Sequence, residues 1–271
     1  MARRKHENLR ERSPEFRKDE HIEVLKSFLI ACEGECTEPN YINGLVKYQK
    51  QQHLIADGTK VIIAKHQHSD PCGVITDLTT MQNWQDYDEK WIVIDRDEVE
   101  FKGKGFGGHT QENFDNAIKS AAENGISVAC SNPCFELWIV LHFEYLQSSI
   151  SRDFVQTKAK DLLNSVLEKN NQIKKIDEMK ALKDLYLILK DKTDTARKYA
   201  VKLEENDKLK ANPSTGVYKL LDAILPTKAI DKGMPLEQVQ KLLGHSKIDT
   251  TMEYAIVDQQ NVTNLHKNYL S

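Results

Sequence analysis

Two apolar runs, each ending in a cluster of acids, constrain this chain more than any other feature. Ser27-Phe28-Leu29-Ile30-Ala31-Cys32 leads straight into Glu33-Gly34-Glu35, and Trp91-Ile92-Val93-Ile94 leads into Asp95-Arg96-Asp97-Glu98. A run that is apolar on both faces reads as a parallel strand covered by helices on either side. Sites in open α/β sheets are built at the carboxyl ends of such strands. Two strands ending in carboxylates would crowd several acids at one edge, where they repel unless a divalent cation neutralises them. Mg²⁺ prefers such oxygen ligands and serves phosphoryl chemistry. The pattern is that of a metal-dependent nucleic-acid enzyme.

Residues 26–145 alternate short apolar runs with helical patterns, which predicts βαβ units and a parallel sheet. Thr37 is placed to cap a helix from about Glu38 to Gln52, and Thr59 to Lys65 reads as a second strand. Asp70-Pro71 opens a second helix, with Asp as cap and Pro where no amide donor is missed. The third strand ends at Asp95. The loop Lys102-Gly103-Lys104-Gly105-Phe106-Gly107-Gly108-His109 lacks the spacing and the Lys-Ser/Thr ending of a P-loop. It reads as a loop near the site whose Lys102 and Lys104 can meet a substrate backbone. A helix from Gln111 to Asn124, stopped by Gly125, precedes a fourth strand from Ile126 to Cys130.

Asn132-Pro133 then starts a helix that is apolar on nearly every side through Phe143, and such a helix must be buried. Glu136 lies in its first turns, where a buried carboxylate is costly unless paired, hydrogen-bonded or bound to metal. A structural ion pair would satisfy it; a role in the site is favoured. His142 reads equally as a satisfied core histidine or as a catalytic one. Beyond residue 145 the pattern turns helical and charged, near Ser151–Lys169, Ile176–Leu189 and Thr193–Asn206, which predicts a helical subdomain against the sheet. Asn212-Pro213-Ser214-Thr215 is expected to start a last helix, Gly216 to Leu225.

A chain of 271 residues can hold one large domain or two, and a net charge of −3 excludes a globally basic coat without excluding a local basic groove. No run reaches the length of a membrane-spanning helix, and no secretory signal precedes the first strand. Five cysteines, an odd number, fit a reducing cytoplasm better than a disulfide framework. The pairs Cys32/Cys36 and Cys130/Cys134 share a spacing wider than the usual structural zinc site, so buried small hydrophobes are the better reading. The first twenty-odd residues form a polar arm with interspersed Arg and Lys, either solvated or touching phosphates.

The residues singled out above carry a family likeness. Cys32-Glu33-Gly34-Glu35 with Thr37-Glu38-Pro39-Asn40-Tyr41, then Asp95-Arg96-Asp97-Glu98, then Ser131-Asn132-Pro133-Cys134-Phe135-Glu136-Leu137-Trp138 and Leu141-His142-Phe143, resemble the RloB family, and Asn212-Pro213-Ser214-Thr215 resembles its closing motif. The resemblance covers about residues 20–225. It implies an α/β fold, a Toprim Rossmann-like parallel sheet, as in topoisomerases and primases, followed by a helical C-terminal subdomain and a helical tail. It also implies Mg²⁺- or Mn²⁺-dependent nuclease activity on DNA or RNA, tRNA included, in bacterial anti-phage defence of the abortive-infection (AbiL) type. Glu33 would be the acid after strand one, and Asp95 and Asp97 the D-x-D pair; these three would hold the metal, with Glu136 also catalytic. Glu38, Glu98 and Asn132 are second-rank candidates beside His142, Lys102 and Lys104. A nuclease that harms its host must be restrained, so a partner protein from a defence operon, or an oligomer, is expected.

Residues 227–271 resemble the C-terminal end of tyrosine recombinases of the phage-integrase type, with His245 matching the Leu-Gly-His histidine and Tyr254 the nucleophile. The arginine, the lysine and the His-x-x-Arg box of that family have no counterpart upstream, so both residues should be inert. The expected divisions are therefore an arm at 1–22, the catalytic domain at 23–145, the helical subdomain at 146–226 and the recombinase-like fragment at 227–271. Two rivals to the nuclease remain: a non-cleaving regulatory or assembly protein, and a DNA-binding factor acting through the tail. The nuclease reading requires Glu33 beside Asp95 and Asp97, with no lysine or arginine filling the gap.

Overall fold

The computed structural model describes residues 26–52, 54–96, 109–206 and 212–225. The arm at 1–22, Asp97, Glu98, Lys102, Lys104 and the tail with His245 and Tyr254 lie outside the described residues. Four parallel strands, β1 (Ser27–Cys32), β2 (Lys60–Ile63), β3 (Glu89–Asp95) and β4 (Ser127–Asn132), and a short antiparallel β5 (Ser214–Thr215) form one sheet in the order β2-β1-β3-β4-β5. β1 and β3 pair in register, Ile30 with Trp91 and Cys32 with Val93.

Side chains alternate across a strand, and each face meets its own helices. Phe28, Ile30, Trp91 and Val93 join Tyr41, Ile42 and Leu45 of α1 (Thr37–Gln51) in one core. Leu29, Ala31, Ile92 and Ile94 join Val74 and Leu78 of α2 (Pro71–Thr79) and Phe114 and Ala117 of α3 (Gln111–Glu123) in the other. The first core is the larger, because every later helix lands on it: α4 (Glu136–Leu141), α5 (Arg152–Asn164), α6 (Ile176–Lys180), α7 (Leu185–Leu189), α8 (Thr193–Asn206) and α9 (Val217–Ile224). The helical segment is thus continuous with the sheet's own core. Trp138, fully buried at its centre, is the residue whose truncation to alanine would open the largest void, at about 3–5 kcal/mol.

Local chemistry sets the boundaries. Asp70 Oδ1 accepts the Gly73 amide at 3.1 Å with Pro71 in the first turn of α2, and Ser151 Oγ accepts the Phe154 amide at 3.4 Å to start α5. Gly125, at φ 63°, takes the left-handed conformation that ends α3. Three expectations are corrected. Thr37 is the first residue of α1 rather than its cap, a place taken by Cys36 without a side-chain bond. The helix expected from Pro133 begins only at Glu136, and the segment 176–189 breaks into α6 and α7.

Asn212-Pro213-Ser214-Thr215 does not start a helix. Ser214 pairs with Asn132 and Thr215 with Ser131, which adds β5 to the sheet edge. The Asn212 side chain meanwhile clasps Ile150, donating from Nδ2 to its carbonyl at 2.8 Å and accepting its amide on Oδ1 at 3.0 Å. Among the described residues no helix is long and apolar enough to cross a membrane.

Candidate active site at the strand ends

The connection after β1 runs over one face of the sheet to β2, and the one after β3 runs over the other face to β4. Where neighbouring strands part in this way, the crevice outside their carboxyl ends is the place for a site. Glu33 follows β1 directly, and Asp95 is the last residue of β3. The Glu33 amide donates to the Val93 carbonyl at 2.9 Å, continuing the ladder, and its carboxylate turns back so that Oε2 accepts the Asp95 amide at 3.0 Å. Asp95 Oδ1 accepts the amide of Phe135, just before α4, at 2.9 Å. Glu33 Oε1 lies 3.9 Å from Nδ1 of His109, whose ring stacks on Phe114.

Two more carboxylates complete the group. Glu38, in the first turn of α1, accepts the Gly34 amide on Oε1 at 3.2 Å. A Cβ at position 34 would stand 2.1 Å from Glu38 Oε2, so only glycine leaves room for this carboxylate. Glu136, the first residue of α4, is buried and 3.7 Å from Lys180 Nζ of α6. Glu33, Glu38, Asp95 and Glu136 line a cavity of about 360 Å³ together with Arg152 and Lys180. Gln156 ties the two cations together, its amide oxygen accepting from Lys180 Nζ and Arg152 Nε, each at 3.2 Å.

The cations do not neutralise the acids. Burial, and then the charges of Glu33 and Glu38, hold Asp95 well above the ordinary carboxyl range, although Arg152 pulls it down. Burial and Glu136 push Glu38 up to about 7. A set of oxygen donors with excess negative charge fits a hard divalent cation. Among the described residues, however, no three His, Cys, Asp or Glu side chains are grouped closely enough to hold a metal by themselves. Glu33 and Asp95 would hold it, with Asp97 next in sequence.

The expectation that no cation stands among the acids is not met. Arg152, at the start of α5, places a guanidinium nitrogen 3.5 Å from Asp95 Oδ2. It approaches from the outer side with 37% of its side chain exposed, whereas Glu33 and Asp95 are joined directly by their own hydrogen bond. A metal bound through Oδ2 would require the guanidinium to move off that oxygen.

Other candidates fall elsewhere. His142 is in the core, with Nδ1 donating to the Trp138 carbonyl at 2.8 Å and Nε2 3.3 Å from the Tyr41 hydroxyl; burial lowers it to about 4. It does not line the cavity, and neither does Asn132, which is engaged in pairing β4 with β5. All five cysteines are free; Cys32 is buried while Cys36 is exposed. Arg152, Lys180, Gln156 and His109 are site residues that the sequence reading missed. The one available signal was Ser151 as a helix cap, which puts the next residue, Arg152, in a first turn.

No curated protein and no solved structure matches the chain. A family model described as RloB-like protein matches residues 28–224, a span that takes in every cavity residue and the closing strand β5. The chain belongs to the RloB-like protein family.

Proposed function

We infer that the chain is a metal-dependent phosphodiesterase of the Toprim type, a nuclease acting on DNA or RNA in bacterial anti-phage defence. One observation carries the reading: Glu33 and Asp95 meet at the switch point of the sheet, in a cavity that also holds Glu38, Glu136 and two cations. Phosphodiester cleavage builds negative charge on phosphorus and on the leaving oxygen, and Mg²⁺ or Mn²⁺, when bound, neutralises it. The chain's own groups set the geometry. The Phe135 amide fixes one oxygen of Asp95, and the Asp95 amide fixes one oxygen of Glu33, so the remaining oxygens point where a cation would lie. Arg152 and Lys180 are suited to the phosphate, since a guanidinium fork matches phosphate oxygens. Arg152 would exchange Asp95 for the substrate as the metal takes its place.

The test is incubation with single-stranded and duplex DNA and RNA in Mg²⁺ or Mn²⁺. Cleavage by the wild type and none by Glu33→Gln/Asp95→Asn is the expected result; equal cleavage by the variant removes the site. A second reading is favoured by the Arg152–Asp95 pair: a regulatory or assembly protein that binds metal or nucleotide here without cutting. Metal binding by calorimetry with no turnover on any substrate would establish that reading instead. A chain lacking residues 227–271 should keep its activity; loss of activity would support the DNA-binding factor. A restraining partner protein, an oligomer and a cytoplasmic location belong to the same proposal.

A further inference from the structure

The loop between β2 and α2 carries a second chemical group that the acid cavity does not use. Asp77, on the inner side of α2, is 2% exposed and accepts the amides of Gln67 and His68 on Oδ2 at 2.8 and 3.1 Å. Those two bonds suffice to hold the loop. The other oxygen does something more specific: it lies 2.6 Å from His68 Nδ1, while 45% of the His68 side chain is exposed. A buried carboxylate on Nδ1 fixes the tautomer of an imidazole, leaves Nε2 as the outward lone pair, and stabilises the ring when it is protonated.

The position relates this pair to the cavity. Ser69, the next residue, is part of the cavity wall with Glu33 and Asp95. Two residues before it, His66 Nδ1 lies 3.4 Å from the carbonyl of Cys32, the residue preceding Glu33. The loop is therefore pinned to the strand end that bears the first acid. His68 Cβ packs where a side chain at position 73 would stand, only 2.3 Å from a Cβ built on Gly73, so the glycine keeps the imidazole close to α2.

We propose that His68, positioned by Asp77, is the general base of the phosphodiester hydrolysis, a role that rests on the nuclease reading above. His68 Nε2 takes a proton from the attacking water as the water oxygen bonds to phosphorus. The bond from phosphorus to the leaving oxygen breaks with its electron pair, that oxygen takes a proton from bulk water, and the imidazolium returns its proton to solvent. Glu33 is thereby left to hold and orient, and Asp77 is a positioning residue.

Cleavage of a single-stranded oligoribonucleotide and an oligodeoxyribonucleotide in Mg²⁺ or Mn²⁺, with and without added imidazole, tests this on the full chain. His68→Ala is expected to lower kcat by roughly 10²-fold or more with KM unchanged, and imidazole to restore part of the rate. Imidazole should not help Asp95→Asn. Asp77→Asn should lower kcat less, and nitrogen NMR of the ring should show His68 losing its single Nδ1–H tautomer. A wild-type rate in His68→Ala, or a loss that imidazole leaves untouched, overturns the base while the nuclease stands. A wild type that cuts neither substrate removes the nuclease reading and the base with it.

Discussion

Two buried aspartates in this fold each meet an arginine, and the two pairs are unlike. Asp222 of α9 pairs with Arg197 of α8, and both side chains are sealed, 2% and 7% exposed. They join two helices whose neighbours Ala196, Ala200, Leu220 and Leu221 belong to the large core. Asp95 meets Arg152 across an open cavity, and more than a third of that arginine faces water. Asp95 also stands among other carboxylates that raise it despite the guanidinium. A pair sealed on both sides is part of the architecture, since either charge alone would be stranded. A buried acid facing a half-open cation can change partners, as a metal or phosphate site requires.

The largest effect should separate the two pairs directly. Arg197→Ala leaves a charge uncompensated in the core and is expected to cost about 3–5 kcal/mol in urea unfolding. Arg152→Ala should cost no more than about 1 kcal/mol. Equal losses would erase the distinction. Next, Mg²⁺ at a hundred times its dissociation constant should stabilise the wild type by about 2.7 kcal/mol, read as a rise in melting temperature. Asp95→Asn should show no such rise; an unchanged wild type would argue against metal exchange at Asp95.

The pH dependence sharpens the same point. Glu38 rises from an ordinary 4.5 to about 7 on folding, so the folded state binds its proton more tightly than the unfolded one. Stability from this group is fully present below about pH 4.5 and is lost as pH rises through about 7. Asp95 acts in the same direction. Unfolding midpoints between these values should therefore fall with rising pH, and Glu38→Gln should flatten the fall. The smallest effect belongs to Ser151→Ala, which removes the cap beside Arg152 and should cost about 1 kcal/mol.

The strands and their acids were legible because β1 and β3 are buried on both faces, and only a covered parallel strand reads as Phe-Leu-Ile-Ala or Trp-Ile-Val-Ile. The same runs placed Glu33 and Asp95 at one edge. Arg152, Lys180 and the His68–Asp77 pair were not legible. Arg152 and Lys180 occupy short helices whose periodicity marks them as surface residues, and only the packing of those helices on the sheet turns them inward. β5 escaped notice because two residues hold no period, and its pairing with β4 is decided wholly by tertiary contact. The short α4 was over-extended for a related reason: in Asn132 to Phe143 every position is apolar enough to hide where the helix begins.

The Asn212 clasp on Ile150 has a consequence in time as well as in space. The clasp spans 62 positions, and the residue it steadies stands two places before Arg152. A nascent chain still short of Asn212 has already made the acids of β1 and β3 but lacks both the clasp and the strand that seals the sheet edge. The cutting centre is therefore assembled last, after nearly all of the matched region has left the ribosome. A half-made copy tethered amid messenger and transfer RNA is the one least able to damage them.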